Sequence, residues 1–250
     1  MRSCGDSGHE RESAFVEGYG QFCPVARASE IFAERWTPLI LREILEGNHH
    51  FNEILKGLHR VSPSVLGERL RRLEHAGVLE TRSNPAGRGS TYHLTESGTQ
   101  LADVIKALGN WGQQWLELER EHLDADFLMW RIFKHLSADK LAAQRCVVRF
   151  DFNGERTSYW LVLKRASPDL CYSDPGFGDD AVVRADLETL TRVYLGELEL
   201  RKARNARLIE IDGPRDVVAA FPKWFPQSGF AGQARPVRYI PATHTFVPTR

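Results

Sequence analysis

Hydroxyl and guanidinium side chains gather in one stretch of this 250-residue chain. Ser62 and Ser64 are followed by Val65, Glu68, Arg69, Arg71 and Arg72, and further on by Arg82, Arg88 and Thr91. Hydroxyls suit phosphate oxygens and base edges, and the arginine fork bonds bidentately to a guanine edge or a phosphate. Between Lys56 and Tyr92 seven basic residues face three acids, a local charge of +4 in a chain whose formal net charge is zero. A basic segment inside a neutral protein is the footprint expected of a small nucleic-acid contact rather than of bulk binding.

Other chemistry is thinner. Four cysteines, Cys4, Cys23, Cys146 and Cys171, are scattered with no C-x-x-C pair. That argues against a structural zinc site or a disulfide framework and for a reducing, cytoplasmic setting. Cys23 is the reactive candidate, because Pro24 places it at a helix N-terminus, where the dipole favours the thiolate. The same position also suits a small apolar residue buried between chains. Ser137 and Lys140 fit S-x-x-K, but without companion motifs they read as a helix cap. His49 and His50 are adjacent and point apart, so they read as loop rather than metal ligands. No G-x-G-x-x-G or phosphate loop is present. The expectation is a non-enzyme with no cofactor, no metal and no catalytic residues. No apolar run approaches the ~18 residues of a membrane span, and the first residues lack the apolar core of a signal peptide. No membrane partner is expected.

The elements that must position the basic stretch follow from caps and periodicity. Pro24–Glu34 reads as a helix with Val25, Ala28, Ile31 and Phe32 on one side. Thr37-Pro38 opens a second helix, and Gly47 can end it. Asn52 can cap a short helix carrying Ile54 and Leu55. Ser62-Pro63 opens the next, where Leu66, Leu70 and Leu73 mark the buried face. On that wheel Ser64, Glu68, Arg71, Arg72 and His75 fall opposite, with Val65 and Arg69 on the flanks. Gly77 stops this helix. Val78–Arg82 and Thr91–Leu94 are strands around a loop at Asn84–Gly89. The order predicts a helix-turn-helix whose second helix enters the major groove, followed by a basic hairpin with Arg82 and Arg88 near the minor groove or flanking backbone. Thr95 then caps a long helix with Leu101, Val104, Ile105, Leu108, Trp111 and Trp115 on one face. That apolar face is too large for one small domain to cover, so a partner chain is the expected cover, together with Phe22 and Ile31.

These motifs carry a resemblance. Cys23-Pro24-Val25-Ala26-Arg27-Ala28, Arg35 through Glu43 and Phe51-Asn52-Glu53-Ile54 resemble the HxlR family of bacterial regulators. So do Ser62 through Leu66, Arg69 through Glu74, Gly77-Val78-Leu79-Glu80 and Tyr92 through Gly98. The resemblance covers about residues 19–118. It implies a MarR-like winged helix acting as a homodimeric repressor on a pseudo-palindromic stretch of double-stranded DNA. Some members of that family respond to oxidants or electrophiles through a cysteine at the place of Cys23. The chain departs from the family in the wing, where Gly89-Ser90-Thr91 stands in place of the common proline-valine-glutamate run.

After the charged stretch Glu117–Asp126 the pattern changes. Phe127–Leu136 reads as a helix and Cys146–Phe152 as an alternating strand. Asn153-Gly154 signals a turn, and Tyr159–Leu163 is the return strand. Weaker strands at Leu170–Tyr172 and Ala181–Ala185, an Asp186-capped helix to Leu195, and a strand at Leu208–Ile211 follow. This order resembles the sterol-carrier-protein fold, which implies a cavity for an apolar effector. Phe150, Phe152, Trp160, Val162, Leu187, Leu190 and Tyr194 are its candidate lining; as single residues they equally suit an ordinary core. The expected class is α+β. A flexible tail (1–18) leads into an N-terminal winged helix-turn-helix domain (19–120). A sterol-carrier-like α+β domain (125–225) follows, and then an irregular tail (226–250). An alternative use is a small-molecule carrier whose winged helix makes protein contacts only.

Overall fold

The computed structural model describes residues 18–83, 89–141, 144–165, 167–233, 237–240 and 245–248. All but the last residue of the expected amino-terminal tail, and the tip of the basic hairpin with Arg88, lie outside the described residues. The chain divides into two compact units, one running to Ala102 and one from Asp103 onward.

In the first unit α1 (Pro24–Phe32), α2 (Thr37–Leu45), α3 (Phe51–Leu58) and α4 (Pro63–His75) precede β1 (Leu79–Ser83), β2 (Ser90–Leu94) and the short α5 (Glu96–Gln100). The strands pair antiparallel from Leu79↔Leu94 to Ser83↔Ser90. Thr37 is not the cap of α2 but its first, buried residue; the cap is Trp36, held at φ 78°. Likewise α3 starts at Phe51 rather than after Asn52, with the Glu53 carboxylate accepting from the His50 backbone amide at 3.3 Å. Ile40, Leu41 and Ile44 of α2, Ile54 and Leu58 of α3, and Leu66, Leu70 and Leu73 of α4 are all buried together with Val78 and Leu79. Each such side chain contributes about 1.5–3 kcal/mol on leaving water.

One polar device sits among them. Glu43 is fully buried, accepting from Arg42 Nη2 at 2.6 Å and from Asn48 Nδ2 at 2.6 Å. Arg42 Nη2 also donates to the Gly57 carbonyl at 3.1 Å, which ties α2 to α3. A Cβ at Gly57 would overlap the Glu43 carboxylate, so α3 approaches α2 this closely only because position 57 is glycine.

In the second unit α6 (Ala102–Trp115) runs into α7 (Ala125–Lys134) through a 3₁₀ turn at Arg120–His122. Five strands follow among three helices: β3 (Cys146–Phe152), β4 (Ser158–Leu163), β5 (Asp169–Cys171), β6 (Ala181–Ala185), α8 (Leu187–Tyr194), α9 (Leu200–Asn205), β7 (Ile209–Asp212) and α10 (Arg215–Trp224). The sheet order is β5-β4-β3-β6-β7, with only β3 and β6 parallel. Strand alternation gives the sheet two unlike faces. Val148, Phe150 and Phe152, with Tyr159, Leu161 and Leu163, pack against Leu128, Met129 and Ile132 of α7, Leu190 of α8 and Phe221 of α10. The opposite face is mixed: Val147 and Val162 are buried on it, while Arg149 pairs with Asp179 at 2.6 Å and Arg184 pairs with Asp212.

Sequence and structure differ at the end of the chain. The last 25 residues read as irregular, yet β8 (Val237–Ile240) and β9 (Thr245–Pro248) pair as an antiparallel hairpin. Each strand is only four residues long and borders proline, so alternation in sequence had too few positions to register. Helices α9 and α10 leave little periodic trace in the sequence, since α9 is six residues long and α10 contains Pro222.

Candidate nucleic-acid interface

The second helix of the helix-turn-helix is α4. Ser62 caps it, its Oγ accepting from Val65 N at 3.3 Å and lying 3.0 Å from Ser64 Oγ. Leu66, Leu70 and Leu73 fix one face against the core, which leaves Ser62, Ser64, Val65, Arg71 and Arg72 exposed. The first turn therefore presents two hydroxyls and a branched apolar side chain at the positive end of the helix, a surface that suits phosphate and the thymine methyl.

The arginines divide. Arg71 reaches Glu68 at 2.8 Å as an exposed pair, of the kind contributing about 0–1 kcal/mol and readily exchanged for a phosphate. Arg72 joins Glu68 at 2.9 Å and also Glu34, just beyond α1, at 2.9 Å. Arg69 is half-buried and paired with Glu34. Arg69 and Arg72 thus brace α4 against the end of α1, Arg72 while remaining exposed as Arg71 is. Hydrogen bonds and charge from Arg72 and Arg71 hold the Glu68 carboxyl below its ordinary range, the bond from Arg72 first. Glu34 was missed in the sequence because its partners lie 35 and 38 residues away, beyond any local pattern.

In the hairpin, Arg82 Nε donates to Glu80 at 2.8 Å. Thr91, expected as a DNA contact, is buried and donates to the Arg82 carbonyl at 3.3 Å, so it holds the hairpin together. Tyr92 N donates to His49 O at 2.9 Å, and a bridge joins His50 to Thr91. The His49 and His93 rings stack with centroids 4.4 Å apart, and His93 Nε2 lies 3.0 Å from Thr91 Oγ1. Burial first, then the nearby His49 and Arg82 charges, lower the His93 pKa from 6.5, with Glu80 opposing.

The folded state prefers neutral His93, so its contribution is complete above the unfolded value of about 6.5 and is lost as the pH falls below it. The urea midpoint should drop between pH 7.5 and 5.5, and less so in His93→Phe. Equal pH dependence of the two proteins would remove His93 as the cause.

Residues 31–120 match the HxlR-like helix-turn-helix family. YvaP of Bacillus subtilis, an uncharacterized HTH-type transcriptional regulator, is 33% identical over 99 residues, covering 39% of this chain and 92% of YvaP. The chain belongs to the HxlR-like helix-turn-helix family. Membership makes it a DNA-binding transcriptional regulator of the HxlR type. The reduced form of the B. subtilis regulator YodB aligns at 30% identity with a TM-score of 0.34, covering 38% of this chain and 94% of YodB. UbiJ-SCP2, a ubiquinone synthesis protein, aligns at 19% identity with a TM-score of 0.28, covering 51% of this chain and 89% of UbiJ-SCP2.

The other expected sites of this HxlR-type chain fall out unevenly. Val104, Leu108 and Trp111 form an exposed stripe on α6, and Phe22 before α1 is 96% exposed. Leu101 and Trp115 are half-buried and Ile31 is exposed, while Ile105 turns inward and is buried within its own chain. Of the seven pocket candidates, Phe150, Phe152, Leu190 and Tyr194 lie in the sheet–helix core with Leu187 packed against it. Trp160 and Val162 do not join them: they project from the opposite sheet face, where Trp160 Nε1 donates to Asp179 at 2.9 Å. The seven residues followed strand and helix periodicity, and period two sends alternate residues of β4 to opposite faces. Two clefts in this unit are lined by other residues altogether. Cys23 is half-buried directly before α1. Burial and neighbouring aspartates push the Cys146 thiol up to about 11 and raise Cys171 as well. No helix among the described residues is long and apolar enough to cross a membrane.

Proposed function

We propose that this HxlR-family chain works as a homodimeric repressor whose second unit senses a small molecule. The carrying observation is the exposed first turn of α4, with its apolar face locked by three leucines and its far side braced by Glu34. In a two-fold dimer the paired α4 helices would lie one DNA turn apart, about 34 Å. The exposed stripe of α6 and the wholly unburied α1 support α6 and α1 as the dimer contact.

The sensing role draws support from how α6 is held inside its own unit. The Phe230 ring lies against Gly109 of α6, where any Cβ would overlap it. Two residues earlier, Ser228 N donates to the Tyr194 carbonyl at 2.8 Å, and Gln113 of α6 donates to Glu197 at 3.2 Å. A ligand that shifts this segment would move the helix that carries the dimer stripe, and effectors act through such differential binding of two states.

The recognition role is tested on the arginines. Arg71→Ala should weaken binding to the protein's own upstream DNA by about 1–3 kcal/mol with stability unchanged. Arg69→Ala should lower stability instead. Anisotropy titrations at several salt concentrations, beside urea curves, separate the two; undiminished DNA binding by Arg71→Ala would contradict the docking of α4.

A thiol route has one observation in its favour. Among the described cysteines, Cys23 alone lies at a helix N-terminus, followed by a proline, while Cys146 and Cys171 are poor thiolates. Diamide should then change DNA affinity in the parent protein and not in Cys23→Ser.

A further inference from the structure

We infer that the second unit carries a binding groove for amphipathic organic anions along the edge strand β7, outside the sheet–helix core. The inference deepens the sensing role proposed above and rests on it only for its regulatory meaning. β7 is an outer strand of the sheet. Beside it α9 and Pro222 of α10 enclose a cleft of about 830 Å³, within the size range of small-molecule sites. Leu200, Ile209, Ile211 and Pro222 supply apolar lining, and Arg201, Arg204 and Arg207 supply positive charge. Of the two acids in the cleft, Glu210 and Asp212, the second is already engaged by Arg184. A second cleft, of about 460 Å³, shares Leu200 and Pro222 and adds His135, Lys140 and Lys223 with no acid. The groove is therefore net positive along an apolar path, with Arg201, Arg204, Arg207, Lys140 and Lys223 set against Glu210 and Asp212. Such a path fits a molecule with an apolar body and a single carboxylate or sulfonate: the body leaves water and the head takes charge-assisted bonds from arginine.

Helices α2, α4 and α8 end on Gly47, Gly77 and Gly196, each at positive φ. In α9 the same closing bonds form, Leu208 N to Ala203 O at 2.9 Å and Arg207 N to Arg204 O at 3.0 Å, but arginine occupies the left-handed position at φ 57°. A side chain there strains the backbone where glycine would not. Arg207 lines the cleft, where it adds charge at that cost in stability.

A polyanion such as DNA fits this groove less well than a small anion, because the surface is concave and Glu210 and Asp212 interrupt it.

The test uses the full chain and two fluorescent probes that share one apolar body: anilinonaphthalene sulfonate and its uncharged parent, phenylnaphthylamine. The sulfonate should bind saturably and at least about tenfold tighter than the parent, the scale of one charge-assisted bond. Arg204→Ala combined with Arg207→Gly should erase that preference. Arg207→Gly alone should weaken sulfonate binding while raising Tm by about 2–4 °C, as relief of ~1 kcal/mol does in a chain of this size. Equal affinity for the two probes, no saturable sulfonate binding, or unchanged binding by the double variant would each overturn the groove. So would a double variant that binds all DNA more weakly, with a shallower salt dependence and normal probe binding, since the arginines would then serve phosphates. If the sulfonate binds as expected but leaves DNA affinity unchanged, the groove stands and the sensing role fails.

Discussion

Glu43→Ala should lower the stability of the DNA-reading unit by about 3 kcal/mol, the scale found when one member of a buried charged network is removed. Glu43 is fully buried, and its loss removes the carboxylate from the Arg42 guanidinium, 17% exposed and still bonded to the Gly57 carbonyl, and from the buried Asn48 amide. Gly57→Ala should destabilise as well, because its new methyl would occupy the space of the Glu43 carboxylate. The two changes share that space, so the cost of Gly57→Ala should nearly vanish in the Glu43→Ala background. Urea denaturation of the parent, both single variants and the double variant reads this coupling. Strictly additive costs would show that the carboxylate does not set the α2–α3 approach. DNA affinity should fall in parallel, since α3 fixes where α4 begins.

The second large effect concerns assembly. Replacing Leu108 and Trp111 together by glutamate should turn the protein monomeric and lower affinity for a full operator by about 100-fold or more. Two linked half-sites gain that much from effective concentration. Both residues are about half exposed in the isolated chain, on a stripe with Val104. Contiguous apolar surface of this kind is uncommon on monomeric proteins. Affinity for an isolated half-site should stay unchanged. Sedimentation velocity and anisotropy on full and half operators check it. A parent protein that sediments as a monomer at micromolar concentration, or a variant that keeps operator affinity, would sink the dimer arrangement.

What could be read from residue order alone is what neighbours in the chain determine. Ser62-Pro63 with Leu66, Leu70 and Leu73 located α4 and its buried face, because cap and period act within one helix. Gly47, Gly77 and Gly196 marked helix ends for the same reason. The family match rested on such runs, which also located β3 and β4, whereas the single helix expected from Thr95 is broken at Leu101 into the short α5, which Thr95 caps, and α6.

Tertiary structure decided everything that depends on distant partners. It took Arg69 and Arg72 to Glu34, turned Thr91 inward and stacked His49 on His93 across 44 residues. It split the expected pocket residues between two sheet faces and placed charged clefts beside α9, a helix too short for its pattern to show. Helical and strand periods state which side of an element is apolar. They do not state what covers that side, and the closure of cores, ion pairs and clefts is set by which elements pack together.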